Sequence, residues 1–207
     1  MKIAVLVSGG GTNLQALIDY EKSHSDCPYS IALVLSDHKD AYALERAANA
    51  GIPSAIVSPY AVMGKEIAVN ASRDQKREAV SNKVMEYCDQ FGIQGIVLAG
   101  WLTVNSGKLI KRFENKMINL HPALLPKFGG VGMFGHHVHE AVLASGEKES
   151  GCTVHYVDSG CDTGKILVQK SVPVLPDDTV ESLYARIAPK EHEAIVEGAI
   201  LMVKDNA

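Results

Sequence analysis

The sequence predicts an α/β protein, a Rossmann-like, doubly wound and mostly parallel sheet with antiparallel strands in the carboxy-terminal third. Three observations carry that expectation. Apolar runs of strand length alternate with helix-length segments from Lys2 to Leu120, the order that βαβ crossovers require. The first run ends directly in Ser8-Gly9-Gly10-Gly11, a tight strand-to-helix turn. Two β-rich runs, Gly151 to Val157 and Ile166 to Val174, are joined only by the turn-forming Asp158-Ser-Gly-Cys-Asp-Thr-Gly164, which suits an antiparallel pair.

Lys2 to Val7 is apolar without interruption, as a strand buried on both faces is, and Asn13 to Tyr20 reads as the helix that follows. Ser30 to Ser36 is a second strand, Ala41 to Ala50 a helix stopped by Gly51, and Pro53 to Val57 a third strand. Val80, Val84, Tyr87, Cys88 and Phe91 then fall on one face of a long helix turned to the sheet. Gly95 to Leu98 is strand four, Asn105 to Phe113 a helix and Met117 to Leu120 strand five. Val138 to Ser145 reads as helical before the late β-rich pair. At the end, Val180, Leu183 and Ile187 form a short stripe, Pro189 is expected to break it, and His192 to Val203 continues on a second helix. No linker or repeat intervenes, so residues 1–207 read as one domain.

Of 207 residues, 46% are hydrophobic, enough for a substantial core. The 20 Lys and Arg against 24 Asp and Glu give a formal charge of -4 with no basic stripe. Counterion release then offers little, which argues against nucleic acid or an anionic membrane as the main partner. No apolar run approaches the roughly 20 residues of a membrane span, and no signal-peptide pattern opens the chain. A cytoplasmic location is expected. Cys27, Cys88, Cys152 and Cys161 are widely spaced and make no C-x-x-C pair, so they read as free thiols in a reducing compartment.

Chemistry is expected at the carboxy ends of the parallel strands, where open α/β sheets bind ligands. Ser8-Gly-Gly-Gly-Thr-Asn13 opens the first helix, so its backbone N–H groups and the helix dipole favour a phosphate. The G-x-G-x-x-G dinucleotide pattern fails, because Leu14 stands where the third glycine belongs. A glycine-rich turn without a ligand is the competing reading. Asn119-Leu-His-Pro122 ends the fifth strand, and alternation turns Asn119 and His121 to one side. An amide donor and an imidazole aimed at one point suit a developing oxyanion and a proton transfer. Asp162 is the candidate carboxylate to fix the His121 tautomer and raise its pKa, with Asp158 its local rival. His136, His137 and His139 lack a matched ligand set, so no metal is expected. His155, in mid-strand, reads as a satisfied core histidine.

With Ser8-Gly-Gly-Gly-Thr-Asn-Leu-Gln15, Asn119-Leu-His-Pro-Ala-Leu-Leu-Pro126 and Asp158-Ser-Gly-Cys-Asp-Thr-Gly164 in this order, the chain resembles the phosphoribosylglycinamide formyltransferases over essentially its whole length. The resemblance implies the formyltransferase fold. It also implies transfer of a formyl group from 10-formyltetrahydrofolate to glycinamide ribonucleotide in purine synthesis, with no metal and no covalent enzyme intermediate. By position, Gly11, Thr12 and Asn13 would hold the ribonucleotide phosphate and Glu191 would contact the ribonucleotide. Asn119, His121 and Asp162 would form the catalytic set. Arg77, Leu102, Thr103, Val104, Asn105, Asn119 and Asp158 would line the folate side. The family often has an arginine and an apolar residue where Thr103 and Asn105 stand, so backbone contacts to the pterin are expected there. Small molecules would be the partners, and a homodimer is compatible with the resemblance. Two alternatives stay open: a nucleotide-binding Rossmann-type module without catalysis, and a formyltetrahydrofolate deformylase.

Overall fold

Alternation in the first strand decides the layering. In β1 (Lys2–Val7), Ile3, Val5 and Val7 enter one apolar cluster and Ala4 and Leu6 the other, because successive side chains leave a strand on opposite faces. A strand with two buried faces must lie in mid-sheet between layers of helices. The computed structural model, which describes residues 1–207, has a seven-stranded sheet in the order β3-β2-β1-β4-β5-β6-β7. The other strands are β2 (Ser30–Ser36), β3 (Ser54–Ile56), β4 (Gly95–Leu98), β5 (Met117–His121), β6 (Glu149–Tyr156) and β7 (Ile166–Pro173). The first five run parallel; β6 is antiparallel to both β5 and β7. The expected mixed α/β sheet is thus the observed one.

On one face lie α1 (Thr12–Ser23), α2 (Tyr42–Asn49), α7 (His136–Ser145) and α8 (Val180–Asp205). On the other, α5 (Arg73–Phe91) buries Val80, Val84 and Cys88, and α6 (Gly107–Arg112) buries Leu109. Two short helices between β3 and α5, α3 (Pro59–Met63) and α4 (Lys65–Asn70), were not anticipated, since neither spans enough turns to show a periodic apolar face. No helix is long and apolar enough to cross a membrane.

The expected break at Pro189 is corrected: α8 runs through it. Proline removes the hydrogen bond to the carbonyl four residues back, here that of Ala185, and both residues face solvent, where water can serve that carbonyl. Meanwhile Leu183, Ile187, Glu191, Ala194 and Ile195 keep one continuous buried face across the proline, so packing outweighs the local cost. Gly198 brings α8 against the sheet: a Cβ there would lie 2.5 Å from Cγ1 of Val154.

Candidate active site

The carboxy ends of β1, β4 and β5 lie side by side and bring the glycine turn beside the Asn119-His121 strand end. Gly11 caps α1 with φ 71°, in the left-handed region, and a Cβ on it would lie 2.7 Å from Cβ of Ala43. A glycine is needed there on both counts. From Gly9 through Leu14, no backbone N–H group donates a hydrogen bond within the chain. A run of N–H groups at the start of a twelve-residue helix suits an anion. Thr12 is exposed on the first turn.

Asn13 reaches back across the cleft and donates from Nδ2 to Oε2 of Glu191 at 3.2 Å. Glu191 is only 6% exposed; burial raises its pKa, against the lowering effect of the Asn13 hydrogen bond. Oδ1 of Asn13 is buried with no partner in the chain, and buried polar atoms rarely stay so unless a ligand or water serves them. The structure therefore brings two of the expected substrate residues into direct contact.

His121 is 3% exposed. Its Nε2 lies 2.8 Å from the carbonyl of Phe128, which can only accept, so Nε2 carries a proton and Nδ1 is the atom left for chemistry. Nδ1 is 3.6 Å from Oδ2 of Asp162, and that oxygen also accepts from the Gly130 N–H at 2.9 Å. Phe128 and Asp162 have φ of 55° and 58°. Both residues that flank the imidazole are thus held in a backbone region uncommon for side-chain-bearing residues, a pattern concentrated at functional sites.

Asp162 does act to raise the His121 pKa, as expected, but the net result is the opposite. Burial is the larger influence and sets the pKa below the ordinary histidine value, although the Asp162 charge and the Phe128 carbonyl pull it upward. For Asp162, burial acts to raise the pKa, but His155, the Gly130 N–H and His121 outweigh it and hold the carboxyl below its ordinary value.

His155, read from the sequence as a core histidine, is indeed buried and hydrogen-bonded, yet it belongs to this cluster. The antiparallel register sets it directly opposite Asn119, on the same face of the sheet. Nδ1 lies 2.9 Å from the Tyr156 carbonyl and carries the proton, which turns Nε2 toward Nδ2 of Asn119 at 3.2 Å and Oδ1 of Asp162 at 3.5 Å. Only the β5–β6 pairing could have revealed this. His139, weighed from the sequence only as part of a histidine cluster, is 2% exposed; its Nδ1 is buried without a partner, and burial, then His136 and His121, push its pKa down to about 4. Its neighbours diverge, His137 pairing with Glu140 at 3.2 Å and His136 facing the Tyr184 ring.

The expected folate-side residues divide. Leu102 and Val104 present exposed apolar side chains, and the Leu102 N–H is fixed to Oγ of Ser8 at 2.8 Å. Thr103 turns inward to Asp37 at 2.6 Å, and Asn105 accepts from the Trp101 indole at 3.2 Å. Arg77 donates to Asp74 at 3.4 Å and stands one helical turn before Ser81, whose Oγ accepts from the Ser106 N–H at 2.8 Å. It therefore lies one turn from that loop without reaching the cluster. Asp158 closes its own turn, accepting from the Gly160 N–H and the Thr163 hydroxyl at 2.9 and 2.7 Å.

Residues 1–199 match the family model described as formyl transferase. The chain is 37% identical over 193 residues to a phosphoribosylglycinamide formyltransferase of Haemophilus influenzae, covering 93% of this chain and 82% of that protein. It is 39% identical over 207 residues to the trifunctional purine biosynthetic protein adenosine-3 of Drosophila melanogaster, of which it spans only 14%. A crystal structure of glycinamide ribonucleotide transformylase 1 from Symbiobacterium toebii superposes with a TM-score of 0.86 at 37% identity, over 99% of this chain and 88% of that one.

Proposed function

The chain belongs to the formyl transferase family, and from that premise we propose that it transfers a formyl group from 10-formyltetrahydrofolate to the amine of glycinamide ribonucleotide. The observation that carries the reading is the convergence of Asn119, His121 and Asp162 at one strand end, beside a helix start with six unengaged N–H groups, those of Gly9 to Leu14.

Attack of the amine on the formyl carbon gives a tetrahedral oxyanion. One N–H of Asn119 is engaged by His155, and the other serves that oxygen. His121, its Nε2 proton tied to Phe128, offers Nδ1 as the second donor when protonated. The 3.6 Å gap to Asp162 is too long for a direct hydrogen bond, which leaves an Nδ1 proton for the reacting oxygen while the carboxylate charge favours imidazolium. Asp162 then assists transfer of the proton from the attacking amine to the departing folate nitrogen, and the intermediate collapses with cleavage of its carbon–nitrogen bond to the folate, releasing the formylated ribonucleotide and tetrahydrofolate. Gly11, Thr12 and Asn13 hold the phosphate and Glu191 the ribose end. The pterin lies along the backbone of Leu102 to Asn105, with Arg77 and Asp158 on the folate side. Folate is a cosubstrate here rather than a resident group. Four free cysteines fit a reducing, cytoplasmic setting.

The test is formyl transfer followed by the absorbance of the folate, with and without glycinamide ribonucleotide. Amine-dependent turnover is expected. Asn119→Ala and His121→Ala should each lower kcat about 100-fold or more, and the double variant by much less than the product, because the two donors act on one oxygen. Hydrolysis of the donor without the amine would establish a deformylase instead.

A further inference from the structure

The N–H groups of the glycine turn can receive a phosphate only if their peptide planes face the right way, and three consecutive glycines impose no such orientation. Something outside the turn must set it. The carbonyl of Gly9 accepts from the Ala43 N–H at 3.1 Å and that of Gly10 from Nε of Arg46 at 2.8 Å. Both donors lie on α2. In a trans peptide the carbonyl and the following N–H point in opposite directions, so holding these carbonyls against α2 turns the Gly10 and Gly11 N–H groups away from it. Those two groups belong to the unengaged run from Gly9 to Leu14.

We propose that Arg46 is the positioning residue of this anion cradle: it orients the Gly10–Gly11 peptide and so sets the affinity for the phosphate, without touching the reacting atoms. The inference rests on the phosphate-site reading given above and goes one step deeper into it. Arg46 is itself held on three sides. Nε donates to Gly10, Nη1 to Oε1 of Gln15 at 3.1 Å, and the guanidinium lies 5.0 Å from the centre of the Tyr42 ring. Gln15 is braced in turn by its hydrogen bond to Asp19 at 2.8 Å. A planar, forked side chain can serve Gly10 and Gln15 at once, whereas an ammonium on a flexible stem meets one acceptor direction at a time. Arg46 also brings a permanent positive charge to the turn, and its field adds to the burial that lowers the pKa of His192. Geometry and charge therefore act in the same direction on an incoming dianion.

The experiment uses the full chain as wild type, R46A and R46K, at fixed ionic strength. It measures the KM of each substrate, kcat, and the dissociation constant of inorganic phosphate by 31P NMR titration without turnover. Loss of Arg46 is expected to raise the ribonucleotide KM and the phosphate dissociation constant by a common factor of about 10 or more. The folate KM and kcat should stay within about twofold. R46K should recover part of the phosphate affinity, having the charge but not the fork.

A folded R46A protein with wild-type phosphate affinity would overturn the proposal, as would an equal rise of both KM values, the mark of a general structural role. Should R46A fold poorly, R46K decides alone: wild-type phosphate affinity in R46K overturns the proposal, and an intermediate affinity supports it. The phosphate titration needs no catalysis. Wild-type protein that binds phosphate but transfers no formyl group would remove the functional reading while the variants still judge Arg46.

Discussion

Oδ1 of Asp162 lies 3.5 Å from Nε2 of His155, while its other oxygen lies 3.6 Å from Nδ1 of His121. One carboxylate thus spans two imidazoles from adjacent antiparallel strands, β5 and β6, and couples them electrostatically. Removal of that one charge would alter the field at both rings.

Asp162→Asn keeps the size of the side chain and removes its charge. Burial already lowers the His121 pKa and Asp162 opposes it, so the pKa should fall further in the variant. Rate at neutral pH should drop about 10-fold or more, because less imidazolium is available as proton donor. The alkaline limb of the pH–rate profile, which reports loss of that proton, should move to lower pH. Imidazole titration by NMR in both proteins checks the direction, and an unchanged His121 titration would contradict it.

His155→Phe removes the ring nitrogen that engages Asn119 while preserving bulk at a site only 2% exposed. Asn119 then loses its orienting partner. We expect kcat to fall about 10-fold while both KM values change little, since the effect falls on a donor that acts in the transition state. Steady-state kinetics against each substrate separates this from a binding defect.

Much of this arrangement could be read in the chain before any coordinates. Buried parallel strands are continuous apolar runs, so β1, β2, β4 and β5 announce themselves, and the glycine turn and the Asn119-His121 pair follow at strand ends. His155 reads correctly as a buried strand histidine, but its part in the cluster depends on β6 pairing with β5 in a register that sets it opposite Asn119, a tertiary fact with no local signature. The direction of the His121 pKa was likewise hidden, since the extent of burial is settled only when the Phe128 turn closes against it. Pro189 is the reverse case: a clear local signal that packing overrides.

Gly11→Ala tests the turn itself. The left-handed φ of 71° and the 2.7 Å approach to Ala43 should cost about 1–3 kcal/mol of stability. Thermal unfolding should shift downward by about 2–4 °C for each kcal/mol in a domain of this size. A variant with unchanged melting temperature and unchanged phosphate affinity would show that the turn tolerates a side chain.

His139 should make folding acid-sensitive. Its pKa is pushed from 6.5 down to about 4, so as pH falls the unfolded chain takes up a proton that the folded protein refuses. Stability present at neutral pH is therefore lost progressively from about 6.5 to about 4 and no further below that. In His139→Gln this component should vanish, leaving a shallower dependence of denaturation midpoint on pH across that window. Parallel curves for the two proteins would contradict the assignment.

The hydrogen bond from Asn13 to Glu191 joins residues 178 positions apart, which gives the cleft a kinetic signature as well as a chemical one. A contact of that span cannot be made until α8 has docked beside α1, and loop-closure entropy places such contacts late in assembly. The five parallel strands can be in register while the Asn13–Glu191 contact is still missing. During refolding, recovery of phosphate-competed activity should therefore lag behind recovery of helical circular dichroism, and catalysis becomes a reporter of the last closure of the chain.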